Sequence, residues 1–123
     1  MATTTAQEIA RDKWIPYFND FSKLYRGWAV TIEVLNGELG DHPRVDDLPF
    51  QGISYDPAGS QAGDILVETG DVGTPYETHL IHRPRVVRVA ITQPGNEVDI
   101  DIESEEGYTT LVSIRRRPEL PPP

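Results

Sequence analysis

The sequence predicts an α+β domain that is mostly β. An N-terminal helix packs on a strongly curved antiparallel sheet, or a small SH3- or Sm-like barrel, of six to seven short strands. Two observations carry this. Between Trp14 and Tyr25 aromatic residues recur at helical spacing. From Trp28 onward, apolar and polar residues alternate in short runs broken by glycine, proline, asparagine and aspartate. So many short strands present many edges, and curling the sheet beneath one helix manages them. The order helix, strands, proline-marked connector and strand is also that of SH3-like and Sm-like barrels.

Asp12 reads as the helix N-cap and Pro16 as a first-turn residue, where a missing N–H is tolerated. Trp14, Tyr17, Phe18, Phe21, Leu24 and Tyr25 then form one face, and Gly27 ends the helix in the left-handed conformation. Trp28 to Leu35 alternates cleanly, with Trp28, Val30, Ile32 and Val34 on one side. Asn36-Gly37 suggests a hairpin, but Glu38 to Asp47 is so polar that it reads as a loop. Leu48 to Tyr55 is a second strand with Pro49 at its start or on a free edge, Asp56-Pro57-Ala58-Gly59 a turn, and Asp64 to Thr69 a third strand.

Tyr76 to Thr92 organises the rest. It holds two strand-like runs either side of Pro84, which cannot donate to a ladder and so breaks one long strand into two. A single 3₁₀ turn is the expected connector. Finally Val98 to Glu103 and Thr109 to Ile114 close as a hairpin. A two-residue turn would mix their faces, whereas a three-residue Glu105-Glu106-Gly107 loop with Gly107 left-handed sets Ile100 against Val112 and Val98 against Ile114. The expected organisation is a disordered leader at 1–11, one globular domain at 12–117 and a proline-rich tail at 118–123.

The 123 residues suffice for a modest core. The absence of cysteine excludes disulfides, thiolate zinc sites and cysteine nucleophiles, and fits a cytoplasmic location. The start Met1-Ala2-Thr3-Thr4-Thr5 has neither the basic nor the apolar region of a secretory signal, and no run reaches membrane-span length. A formal charge of −9 opposes nucleic-acid binding, since phosphate contacts need a basic face.

Four segments taken in order are similar to a known family: Trp14-Ile15-Pro16-Tyr17-Phe18, Leu48-Pro49-Phe50-Gln51-Gly52-Ile53-Ser54-Tyr55-Asp56-Pro57, His79-Leu80-Ile81-His82-Arg83-Pro84, and Leu111 to Pro121. Together they resemble small bacterial proteins classed only as a domain of unknown function. The resemblance runs from about Asp12 to the C-terminus, less closely at Gly59–Gly63 and Gly70–Pro75. It implies a small, soluble, single-domain protein and brings no catalytic or binding residues with it.

Several constellations invite chemistry, and each has a plainer account. His79 and His82 lie three apart, so on a strand they face opposite ways and do not chelate one ion. Either could join Asp41, His42, Asp46 or Asp47 in a nitrogen/oxygen metal site. The plainer account is a half-buried His79 bonded to backbone and solvated loop acids. Asp99, Asp101 and Glu103 line one outward face, as a cation site, a docking face for a basic partner, or charges paired with Arg85, Arg88 and neighbouring arginines. Arg115 to Pro121 fits a polyproline-helix motif or a phosphate grip, but reads more simply as a stiff tail. There is no Gly-x-Ser-x-Gly elbow and no phosphate-cradling loop, and an Asp56–His79 acid–base pair rests on no spacing argument.

The reading favoured is a small cytosolic protein-interaction or ligand-binding module without catalytic activity or cofactor. It meets another protein or a second copy of itself through His79, His82, Arg85, Arg88, Asp99, Asp101 and Glu103. A metal-dependent or acid–base hydrolase using His79 and the loop aspartates is the alternative. A barrel-type nucleic-acid binder is a third, disfavoured by charge.

Overall fold

The computed structural model describes residues 3–36, 40–58, 63–73, 76–93 and 97–116. Along the chain run β1 (Thr3–Ile9), a 3₁₀ turn (Arg11–Lys13), α1 (Trp14–Tyr25), β2 (Ala29–Asn36), β3 (Gly40–Asp56), β4 (Asp64–Thr69), β5 (Glu77–His82), β6 (Pro84–Gln93), β7 (Glu97–Ser104) and β8 (Thr109–Arg115). Among the described residues the strands form one antiparallel sheet in the order β1-β6-β7-β8-β2-β3-β4-β5.

Two strands come from segments expected to be irregular. The leader is not wholly outside the fold: Thr3–Ile9 pairs with β6, Ile9 against Val87. The Trp14 indole N–H donates to the Ile9 carbonyl at 2.8 Å, tying this strand to the helix. The second is the polar stretch before Leu48, which forms the first half of β3 and returns along β2 with Asn36 opposite Gly40. Its register slips near Ile32, and beside that irregularity Asp47 takes φ 55°, a left-handed conformation that aspartate tolerates better than most residues.

The helix begins one residue later than expected. Asp12 lies inside the 3₁₀ turn, and Lys13 stands at the N-cap without a side-chain cap bond. Trp14, Phe18, Phe21 and Tyr25 are buried, Tyr17 is half-buried, and Gly27 follows the helix with φ 92° as expected. Leu24 departs from the expected stripe. At about 100° per residue it sits roughly 80° from the stripe's centre, on the rim, and is 68% exposed. Ser22 is buried in its place.

Ser22 explains where the helix sits. Beyond Pro49, β3 loses β2 as a neighbour while β4 still covers its other side. The vacated edge is covered by α1. Ser22 Oγ donates to the Ile53 carbonyl at 3.0 Å and accepts the Ile53 N–H at 2.9 Å, and Arg26 Nε donates to the Gln51 carbonyl at 3.1 Å. Side chains thus replace a missing strand, as a buried edge requires. Edge-to-face ring contacts, Trp14 on Tyr55 and Phe21 on Phe50, fill the space beneath.

Pro84 does split the long run, but through one residue rather than a 3₁₀ turn: Arg83 alone, at φ 51°, joins β5 to β6. These strands hold the eighth and second places in the ladder. Six spacings of about 4.8 Å would separate them by ~29 Å in a flat sheet, far beyond a one-residue link. The sheet is therefore strongly curved. It is not closed into a barrel, because β5 bonds β4 on one side and no strand on the other among the described residues. The β7–β8 hairpin has the expected register, Ile100 on Val112 and Val98 on Ile114, with Gly107 at φ 91°. Ile100, Ile102, Val112 and Ile114 face the core with Val30, Ile32, Val87 and Val89. No helix among the described residues is long and apolar enough to cross a membrane.

Candidate functional site

The expected charged face on β6 and β7 is present, and it is largely spent within the molecule. Arg88 and Glu103 are hydrogen-bonded, and Glu103 also meets Arg85 at 3.3 Å. Arg83 pairs with Glu105 at 3.1 Å, Arg115 with Glu97 at 3.0 Å, and Arg88 lies 3.9 Å from Glu8 of β1. The Arg88 hydrogen bond holds the Glu103 carboxyl below its ordinary range. Asp99 and Asp101 behave oppositely. Burial raises both carboxyls above the usual aspartate value, and each keeps a buried Oδ1 without a hydrogen-bond partner. The arginine pairs of Glu97, Glu103 and Glu105 fit the plainer account, charges matched across strands.

The loop expected to hold a metal is strand β3. The side chains of Asp41, His42 and Asp46 lie outside the described residues, and Asp47 is exposed with its N–H 3.4 Å from Thr31 Oγ1. Among the described residues no group of three or more histidine, aspartate or glutamate side chains could hold a metal. Arg117 and the proline-rich tail also lie outside the described residues.

His79 and His82 fall on opposite faces of β5, as strand periodicity requires. His79 faces inward, with Nε2 buried 3.5 Å from Glu77 Oε2, at ion-pair distance and without a hydrogen bond among the described residues. The expected bond from this ring to backbone is not seen at Nε2. His82 faces outward, its Nδ1 2.9 Å from Asp64 Oδ1 on β4. Asp56 is not joined to His79; its carboxylate accepts the Ala58 N–H in a turn. Asp64 and His82 form a hydrogen-bonded carboxylate–imidazole pair. The adjacent hydroxyls are committed elsewhere: Ser104 Oγ donates to the His82 carbonyl at 2.7 Å and accepts the Glu106 N–H, and Tyr108 Oη accepts the His82 N–H at 3.1 Å.

Those last bonds reveal how β5 is oriented. Both backbone groups of His82 point away from β4, toward the β7–β8 hairpin. In an antiparallel strand such orientation repeats every second residue. The N–H and C=O of Leu80 and Thr78 therefore also point away from β4, where no strand among the described residues pairs with them. Beside them lies an open groove of about 460 Å³, walled by Ile32 and Val34 of β2, Thr110 of β8, Tyr108, and β5 itself. Leu80 is 50% exposed and Tyr76 68%. The hairpin seals this edge at His82 and leaves it open toward Tyr76.

The sequence points to the histidines but not to the backbone edge at Thr78 and Leu80, nor to Tyr108 and Ser104. A period-two run states which side chains alternate. It does not state which strand, if any, lies alongside.

The sequence pattern of a family of unknown function (DUF5335) matches residues 5–123, and the chain belongs to that family. The resemblance read from four motifs is thereby borne out. An uncharacterized protein of Aquifex aeolicus (strain VF5) is 31% identical over 115 residues, covering 94% of this chain and 95% of that one. No solved structure matches.

Proposed function

For this member of a family without an assigned role, we propose that the chain is a small polypeptide-binding module that takes an extended segment along the open edge of β5. One observation carries the reading: among the described residues, Thr78 and Leu80 present unpaired backbone donors and acceptors beside a partly apolar groove. Strand addition uses such an edge for affinity and adjoining pockets for side-chain choice. Natural edge strands are commonly guarded by lysine, proline or a bulge. β5, Glu-Thr-His-Leu-Ile-His, has neither residue, and its register with β4 runs without a shift. β1 ends the ladder on the other side with its residues 5–8 exposed, and the hollow of about 500 Å³ beside it is walled by residues 7–10 together with Lys13, Pro16, Tyr17 and Asp20 of the turn and helix.

The test is selection from a library of displayed linear peptides, followed by amide exchange on the purified chain with the best binder. The expected result is an extended binder that slows exchange at Thr78 and Leu80. Binders that leave those two amides unchanged, or no binder at all, would overturn the reading.

A further inference from the structure

We infer that the segment received by β5 is the β5 strand of a second copy of this chain, paired antiparallel across a two-fold axis at Thr78. This rests on the open-edge reading above and adds the identity of the partner. Register selects it. His82 already has its N–H and C=O occupied by Tyr108 and Ser104, so a partner strand has Leu80, Thr78 and the preceding Tyr76 to work with. Centring the axis on Thr78 uses all three: Thr78 faces its own copy, and Tyr76 faces Leu80 of the partner subunit, each in a hydrogen-bonded pair.

The side chains agree with that register. Tyr76 and Leu80, both half or more exposed in the single chain, cover each other on the outer face. On the inner face Glu77 comes opposite the partner's His79, in the closer, non-hydrogen-bonded pairing. His79 Nε2 is buried and has no hydrogen bond among the described residues of its own chain, with Glu77 Oε2 at 3.5 Å. Neighbouring registers are worse. An axis one residue earlier sets Glu77 against Glu77, one residue later sets His79 against His79, and two residues later centres on Leu80 and requires the occupied edge of His82. A two-fold pairing of this kind uses one patch twice and occupies the β5 edge of both copies.

Sedimentation velocity of the full chain, from low micromolar to hundreds of micromolar, tests this together with amide exchange. The expected result is a concentration-dependent dimer in which Thr78 and Leu80 amides exchange at least tenfold more slowly than in the dilute protein. Glu77→Arg, at an exposed position, should weaken dimerisation at least tenfold. Adding His79→Glu to it should restore most of the loss, because a carboxylate then stands opposite the introduced guanidinium. Leu80→Pro removes an edge donor outside the β4 ladder and should give a monomer; circular dichroism verifies its fold, and the double variant decides the matter if it does not fold. A monomer at every concentration, or a dimer with unprotected Thr78 and Leu80 amides, would remove the second-copy inference. In either case peptide binders protecting the same amides would leave the open-edge reading standing, and their absence would end both.

Discussion

Ser22→Ala should be the most informative single substitution in the helix. Ser22 Oγ serves both backbone groups of Ile53, at 3.0 and 2.9 Å, in a buried setting that no strand of the sheet covers. Alanine leaves one N–H and one C=O unpaired. At about 1–3 kcal/mol for each of the two orphaned groups, less a few tenths returned by alanine's helix propensity, the loss is about 1.5–5.5 kcal/mol. Unfolding entropy of about 2.1 cal/mol/K per residue over 123 residues converts this to a Tm lower by about 6–21 °C. Urea denaturation followed by far-ultraviolet circular dichroism measures it, with Ser54→Ala, exposed on the same strand, as a control expected to change stability by less than about 0.5 kcal/mol. A loss below about 0.5 kcal/mol for Ser22→Ala would refute the claim that the helix substitutes for a strand at this edge.

Two further sets of substitutions test the turns and the buried carboxyls. Gly107→Ala meets nothing within 4 Å but retains φ 91°, so it should cost about 1 kcal/mol; Gly63→Ala adds a contact of 2.8 Å to the Tyr55 ring and 3.0 Å to the Asp56 carbonyl, and should cost at least about 2 kcal/mol. Equal losses in thermal melts would contradict that distinction. Asp99→Asn and Asp101→Asn should raise stability at neutral pH, because burial lifts both folded-state carboxyl values above the ordinary 3.8 and ionisation therefore opposes folding. The wild-type chain recovers that stability as pH falls through the raised values, so the advantage of the variants shrinks toward about pH 4. An advantage equal at both pH values, in urea melts, would count against burial as its source.

The strands most legible in the sequence are those whose two faces differ. Val98 to Glu103 alternates apolar with acidic, and shifting it by one residue would bury carboxylates, so the hairpin register with Gly107 follows from the residues alone. Trp28 to Leu35 and the aromatic helix are legible for the same reason. Thr3–Ile9 and the first half of β3 are not, because polar segments carry little periodic signal and become strands when a neighbour offers a ladder, β6 for one and β2 for the other. At the candidate site, His79 and His82 are visible as residues, but the free edge of Thr78 and Leu80 is not.

Local decisions were written in the order of the residues: where the helix lies, where Pro84 divides two strands, which side chains of the last hairpin face inward, and that cysteine chemistry has no part. Those follow from short-range sterics and from the cost of burying charge. The ladder order, the one-residue crossing at Arg83, the use of Ser22 as a strand surrogate and the placing of β5 at the end of the sheet arise only in the folded chain. The physical reason is that a strand's own residues specify only its two faces. Its two edges are backbone, nearly the same for every sequence, and what pairs with them depends on where the rest of the chain has gone.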